Sequence, residues 1–254
     1  MRTFALETAK LLTLLALIIG GLSLHGTGRA LFMAGPQRET YLLERQLHFL
    51  EKDRLKRPDS IAIHEELAEV YDRLCRTQDV LRMQKRLIEL APDNHAHYQA
   101  HANTVAVMRT DAAKFYDRHL ETIPALAIEL YKSAIELAPE DQQLAREYAM
   151  MFYLVRSGST KEAIEAWTHV SALATEEQVS KEAHLHLARW LGTEGKIGAA
   201  RKHLRLANGY ENAGLVTATN GLLDRLAIEE KETRKSRMLA KNRPKRKKGG
   251  RQWM

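Results

Sequence analysis

The sequence predicts an all-α protein built as an array of helix pairs, and three observations carry that expectation. Ile88-Glu89-Leu90-Ala91-Pro92-Asp93 returns 47 residues later as Ile135-Glu136-Leu137-Ala138-Pro139-Glu140. Each copy closes an apolar-periodic stretch and is succeeded by another. Glu-Leu-Ala continues a helix, Pro does not, and an acid beside it suits the next helix start, so the phrase is punctuation between helices. The composition is 44% apolar but only 6% aromatic, with 14 Gly and 6 Pro, which suits helix better than sheet. No region sustains the period-two alternation of a half-buried strand.

The 254 residues are enough for one large or two modest cores. The single cysteine, Cys75, rules out an intramolecular disulfide framework and a four-cysteine zinc site, and leaves the compartment open. The formal charge of +7 is unevenly placed: residues 231–254 hold eleven Lys/Arg and one acid, a local +10 against −3 for everything before them. The high pI therefore belongs to a tail.

Residues 1–36 are expected to be a membrane anchor or a signal segment. Arg2 and Lys10 precede the uncharged run Leu11–Leu24, whose fourteen residues at ~1.5 Å rise cover about 21 Å of a ~30 Å hydrocarbon core. Starting at Thr8 and letting Lys10 snorkel extends the run to a marginal span. A basic start before a short apolar run equally describes a signal-peptide core, although Gly26-Thr27-Gly28 makes a poor cleavage site. A buried soluble helix is the third reading. Arg29 and Arg38 on the far side weaken the charge bias; the expected orientation is amino terminus inside and bulk on the non-cytoplasmic side, or export after cleavage. Residues 37–58 form a linking amphipathic helix with Tyr41, Leu42, Leu47, Leu50 and Leu55 on or near one face, ended by Pro58. It serves as a stalk or as the first packing layer. Asp59 or Ser60 caps the next helix.

From residue 59 a grammar repeats. Leu67-Ala68 with Tyr71 begins a first unit, whose second helix carries Val80, Gln84 and Leu87. Ala102 and Val105 occupy the next first helix, and Ala127, Tyr131 and Ala134 its second, with Thr122 as cap and Pro124 in the first turn. Tyr148-Ala149 and Phe152 pair with Ala163, Trp167 and Val170 across a Gly158-Ser159-Thr160 turn. Leu187-Ala188 and Leu191 pair with Ala200, Leu204 and Ala207 across Gly195-Lys196. This pattern resembles the tetratricopeptide repeat (TPR) family, in which 34-residue helix-turn-helix units stack because none can bury its face alone. The resemblance covers about residues 60–210 and implies an α-solenoid of four degenerate repeats, about 61–94, 95–141, 142–176 and 181–214, within a domain 59–210. About thirteen extra residues, Thr110 to Thr122, account for the longer spacing of the repeated phrase. They still read as helix, and a lengthened first helix projecting past the array is expected. Residues 211–230, with Leu215, Leu222, Leu223, Leu226 and Ile228, form a capping helix.

The resemblance also implies where a ligand lies: along a concave face lined mainly by first helices. The matching positions are Glu65, Glu69 and Asp72, then Gln99 and Asn103, then Arg146, Met150 and Tyr153, then Leu185 and Arg189. That face is acidic near one end and basic near the other, and the Lys/Asn/Arg clamp of the carboxylate-binding members is absent. The alternative is that these are solvated helix faces.

Nothing in the chain points to catalysis. His64-Glu65-Glu66 lacks the second histidine of a metalloprotease motif, the glycines are scattered, no nucleophile elbow occurs, and Glu65/Glu69 and Glu162/Glu165 are simplest as surface charges. His97 and His101 share a helix face, with His95 nearby, but no third metal ligand is evident, and they are simplest as solvated helix-face histidines; His184 and His186 point to different sides. No catalytic residue, metal site or cofactor is expected. The tail, residues 231–254, starts as helix and ends in a basic run with Lys241, Arg243, Lys245, Arg246, Lys247, Lys248 and Arg251. Its Pro, Gly and like charges leave it disordered alone. It docks on anionic lipid or another polyanion, binds nucleic acid as a lesser alternative, or only solubilises. The sequence thus predicts a non-enzymatic scaffold or adaptor for a protein partner in a membrane- or envelope-associated assembly, the runner-up being a nucleic-acid-associated adaptor docking through the tail.

Overall fold

The computed structural model describes residues 35–155 and 159–241, all of them helix, turn or connecting loop. The hydrophobic run Leu11–Leu24 and the basic residues Arg243, Lys245, Arg246, Lys247, Lys248 and Arg251 lie outside the described residues, so the anchor, signal and tail readings do too. Among the described residues no helix is long and apolar enough to cross a membrane. The chain divides into two compact units, Met1–Ile123 and Pro124–Met254.

In the first unit, α1 (Gly35–Lys56) packs on α2 (Ile61–Arg73), α2 on α3 (Thr77–Leu90), and α3 on α4 (His95–Val107). The linking helix is a packing layer. Its buried stripe is Leu43, Leu47 and Leu50, spaced four and three, joined to Ile63, Leu67, Val70, Tyr71, Val80 and Met83. Leu42 and Leu55, expected on that stripe, are 44% and 77% exposed. Leu42 sits one residue off the stripe, about 100° around the helix, and Leu55 lies in the last turn of the helix.

The inserted residues correct one expectation. They do not lengthen α4. The helix ends at Val107, Met108 leaves helical geometry (φ −97°, ψ 48°), and a separate helix α5 (Arg109–Tyr116) packs against both α3 and α4. Ala112 is fully buried at that crossing, where its small side chain permits close approach. The Gln78 side-chain amide donates to the Asp111 carbonyl at 2.9 Å. Asp117 ends α5 in the left-handed region (φ 49°), and a 3₁₀ turn, Leu120–Thr122, comes next. The Thr122 hydroxyl donates back to the His119 carbonyl at 2.8 Å.

The second unit comprises α6 (Ile123–Leu137), α7 (Gln142–Val155), α8 (Thr160–Leu173), α9 (Glu177–Thr193), α10 (Ile197–Leu206) and α11 (Ala213–Lys241). Neighbours in sequence pack on each other from α7 to α11, and α11 also lies on α9. Both copies of the repeated phrase act as stops: α3 ends at Leu90 and α6 at Leu137. The caps come two residues after each proline. Asn94 accepts from the Ala96 amide at 3.1 Å, and Asp141 accepts from the Leu144 amide at 2.9 Å. Ser159 and Glu162 form a capping box at the start of α8.

Two turns use the same device. After α9, Gly195 (φ +74°) lets its own amide reach the Gly192 carbonyl and the Lys196 amide reach Leu191, both at 2.9 Å. After α2 the same pair of bonds, Cys75 to Asp72 and Arg76 to Tyr71, both 2.8 Å, is built around Cys75 at φ 56°. A non-glycine residue there is strained. At the far end, Leu223 of α11 is fully buried and fills the space a Gly192 side chain would need: a Cβ would lie 2.5 Å from its Cδ2. The cap is longer than residues 211–230 suggest. Its buried contacts end before Ile228, which is 57% exposed, yet the helix runs on to Lys241.

Candidate protein-binding face

In the second unit, Arg146, Met150 and Tyr153 are spaced four and three along α7, and Glu182, His186 and Arg189 are spaced the same way along α9, so each set occupies one helix face. The two faces meet. Arg146 grips Glu182 as a fork, Nε to Oε2 at 2.8 Å and Nη2 to Oε1 at 2.9 Å. Glu182 is only 7% exposed, so its carboxylate needs that partner. The fork, outweighing partial burial, raises the Arg146 pKa. Tyr210 sits close enough to feel both charges, and burial, with Glu182 next, raises its pKa.

One turn further on, polar and aromatic groups interlock. The Tyr153 hydroxyl hydrogen-bonds to His186 Nδ1 at 2.9 Å, and the His186 ring stacks on Trp167, centroids 4.1 Å apart and planes 19° from parallel. Burial, then the charges of Arg189 and Arg146, pushes the imidazole down to about 4, so it is neutral near pH 7. Burial also raises the Tyr153 phenol, against the opposing pull of Arg189. Tyr153 also meets Trp190, ring centroids 4.9 Å apart, and the Arg189 guanidinium, 5.3 Å from the ring centre. Among the described residues no carboxylate pairs with Arg189. On the Tyr153 helix, Met150 is 43% and Leu154 49% exposed.

The positions expected to line a ligand face are therefore unequal. Arg146 is present on the face, but its charge is spent on Glu182. Leu185 is fully buried and belongs to the core. Met150, Tyr153 and Arg189 form the accessible part. Sequence reasoning missed Glu182, His186 and Trp190. Their signal was separation: Arg146 to Glu182 and Tyr153 to His186 are 36 and 33 residues apart, close to one repeat, which brings polar residues of successive first helices side by side.

In the first unit, Glu65, Glu69 and Asp72 are exposed along one face of α2. Glu65 lies 3.9 Å from His97 Nε2, which also faces the Asn94 amide nitrogen at 3.1 Å. On α4, Gln99 is half-buried and Asn103 exposed. His97 and His101 do not lie on a solvated face: they are 6% and 1% exposed, and His101 points inward. Its Nδ1 meets Gln84 Oε1 at 3.2 Å and its Nε2 meets the Tyr116 hydroxyl. Gln84 Nε2 donates to Thr104 Oγ1 at 2.9 Å, and Thr104 donates to the Ala100 carbonyl at 3.1 Å. Gln84 Oε1 only accepts, so His101 carries its proton on Nδ1 and Nε2 accepts from Tyr116. Burial, then Lys85, pushes this imidazole down to about 4. His97 and His101 thus serve different partners, and both His101 nitrogens are occupied.

No protein-family model matches the sequence, and no curated protein sequence does. Solved structures do. The fold is similar to YrrB, described as a TPR protein with an unusual peptide-binding site, at TM-score 0.54 and 15% identity over 70% of this chain and 84% of that one. It is similar to MamA at TM-score 0.51 and 13% identity over 71% of this chain and 96% of that one. A MamA double mutant gives 0.51 at 14% identity, over 68% and 86%. The chain therefore has a TPR-like helical-repeat fold.

Proposed function

We propose that this chain is a non-enzymatic scaffold that holds a segment of a partner protein on the α7/α9 face. The observation that carries the proposal is Arg189: among the described residues its guanidinium has no carboxylate partner, and it is poised on Tyr153, whose ring also meets Trp190 and whose helix exposes Met150 and Leu154. Around it, Arg146, Glu182, Tyr153 and His186 satisfy one another, which fixes the rotamers of the face before anything binds. Such a surface suits a peptide segment offering an apolar side chain to Met150, Leu154 and Trp190 and a carboxylate to Arg189. YrrB, whose fold this chain shares, has a peptide-binding site, which supports the same kind of ligand here. The acidic row Glu65, Glu69 and Asp72 on α2 is a second contact surface in this reading, with Gln99 and Asn103 on α4 in the same unit. We also propose, from Leu11–Leu24 alone, that the scaffold is tethered beside a membrane with its bulk on the non-cytoplasmic side; a fusion of residues 1–40 to a reporter active only outside the cytoplasm tests it, and an inactive reporter rejects it.

The binding assignment is tested by selecting peptides from a random display library on the wild-type protein. Arg189→Glu and Met150→Glu, each with an unchanged melting temperature, are expected to lower affinity for the selected acidic-apolar peptides at least ~10-fold, the scale of a lost charge pair at about 1.4 kcal/mol. Affinity that survives both substitutions rejects the face.

A further inference from the structure

His184 sits in the first half of α9 and His203 in the last turn of α10, and neither belongs to the face just described. Their rings approach from two helices, Nδ1 to Nδ1 at 3.2 Å, with centroids 5.2 Å apart and planes inclined by 53°. Both are half-buried and so reachable from solvent. The hydrogen bond between them needs one Nδ1–H and one Nδ1 lone pair, an arrangement of two neutral rings.

That separation is also a metal bite. Imidazole nitrogens bind zinc at about 2.0–2.1 Å, and two of them subtending about 100–110° at the ion stand roughly 3.1–3.4 Å apart. The pair already spans it. Moving the bridging proton from Nδ1 to Nε2 of the same ring, through solvent, leaves two Nδ1 lone pairs, and turning both rings off the N···N line aims them at one point. No net proton is lost. Other buried histidines are committed elsewhere: His101 to Gln84 and Tyr116, His186 to Tyr153 and Trp167.

We propose that His184 and His203 form an open two-imidazole site for a borderline divalent transition ion of the zinc or copper class, which pins α9 to α10. Among the described residues no third His, Cys, Asp or Glu joins them, so water completes the coordination and the ion exchanges freely. Copper(II) binds more tightly than zinc at such nitrogen ligands.

The test is thermal unfolding of the full chain with zinc chloride or copper(II) chloride, before and after EDTA. The melting temperature is expected to rise by about 3–6 °C at roughly tenfold excess over Kd and to return on chelation. His184→Gln and His203→Gln are each expected to melt at one temperature with or without the ion. No rise in the wild type, or an equal rise in either variant, overturns the site. A second measurement needs no variant: under substoichiometric copper(II), the ring signals of His184 and His203 broaden ahead of those of the other nine among the 11 histidines. Uniform broadening overturns it.

Discussion

The two units each bring polar residues together between neighbouring helices and use them in opposite ways. In the first, His101 stands where the repeat grammar has Leu67, Tyr148 and Leu187 in the other copies, and Gln84 stands where they have Tyr131, Trp167 and Leu204. Each alone is a fault in an apolar core. Together they cancel: His101 donates to Gln84, Gln84 donates to Thr104, and the inserted helix α5 supplies Tyr116 to close the chain. In the second unit, Tyr153 and His186 make a comparable bond, but Trp190 and Arg189 continue it outward to an accessible surface. A polar group buried in a repeat array is tolerated when every partner is present. The closed set fastens an insertion, and the open set is left with a charge to offer.

The sharpest way to break this comparison is to open the closed set. His101→Ala strands Gln84 Oε1 and the Tyr116 hydroxyl and leaves a cavity, with an expected loss of about 3–5 kcal/mol in urea unfolding. The double variant His101→Leu with Gln84→Leu is expected to lose less than the two single changes summed, a coupling of about 1–3 kcal/mol. Strict additivity would mean that the network does no joint work.

Next comes the fork in the second unit. Arg146→Ala leaves the Glu182 carboxylate buried without its cation, at an expected cost of about 2–4 kcal/mol, moderated because Arg146 itself is partly exposed. Arg189→Ala, which abandons no buried partner, is expected to change stability by less than about 0.5 kcal/mol.

Acid distinguishes the units by subtraction. His101 and His186 titrate near 4 in the folded chain, below the ordinary value of 6.5. The unfolded chain therefore binds protons first, and stability is complete above pH 6.5 and lost as pH falls from 6.5 towards 4. Each imidazole contributes a slope approaching about 1.4 kcal/mol per pH unit. The double leucine variant removes the His101 share and leaves that of His186; unfolding titrations of both proteins between pH 7 and pH 4 read the difference. The smallest effect concerns the paired turns. Cys75→Gly, which copies Gly195, is expected to gain about 0.5–1 kcal/mol by relieving the left-handed strain, less the entropy of a freer unfolded chain.

What the sequence made legible was local. Ala91-Pro92 and Ala138-Pro139 marked helix ends because proline cannot continue a helix, and the Leu-Ala positions marked buried faces because small residues sit where helices cross. The break at Met108 carried no such mark: neither glycine nor proline stands there, and Thr110–Leu120 keeps helical propensity. Its cause is tertiary, the burial of Ala112 and the reach of Tyr116 to His101. Leu42 and Leu43 could not be told apart without the partner helix that chooses one of them. Arg146 looked like an open cation because Glu182, a repeat away, becomes its neighbour only after stacking.

The central claim is that the polar residues of α7 and α9 are a recognition surface whereas those of α3, α4 and α5 are a structural clasp. One paired measurement tests it most directly: melting temperature and peptide affinity on Arg189→Glu and on the His101→Leu, Gln84→Leu double variant, with peptides selected on the wild type. Arg189→Glu is expected to keep its melting temperature and lose binding, while the double variant melts lower and binds as the wild type does. Binding retained in Arg189→Glu would contradict the claim, as would binding abolished in a double variant still folded at the assay temperature.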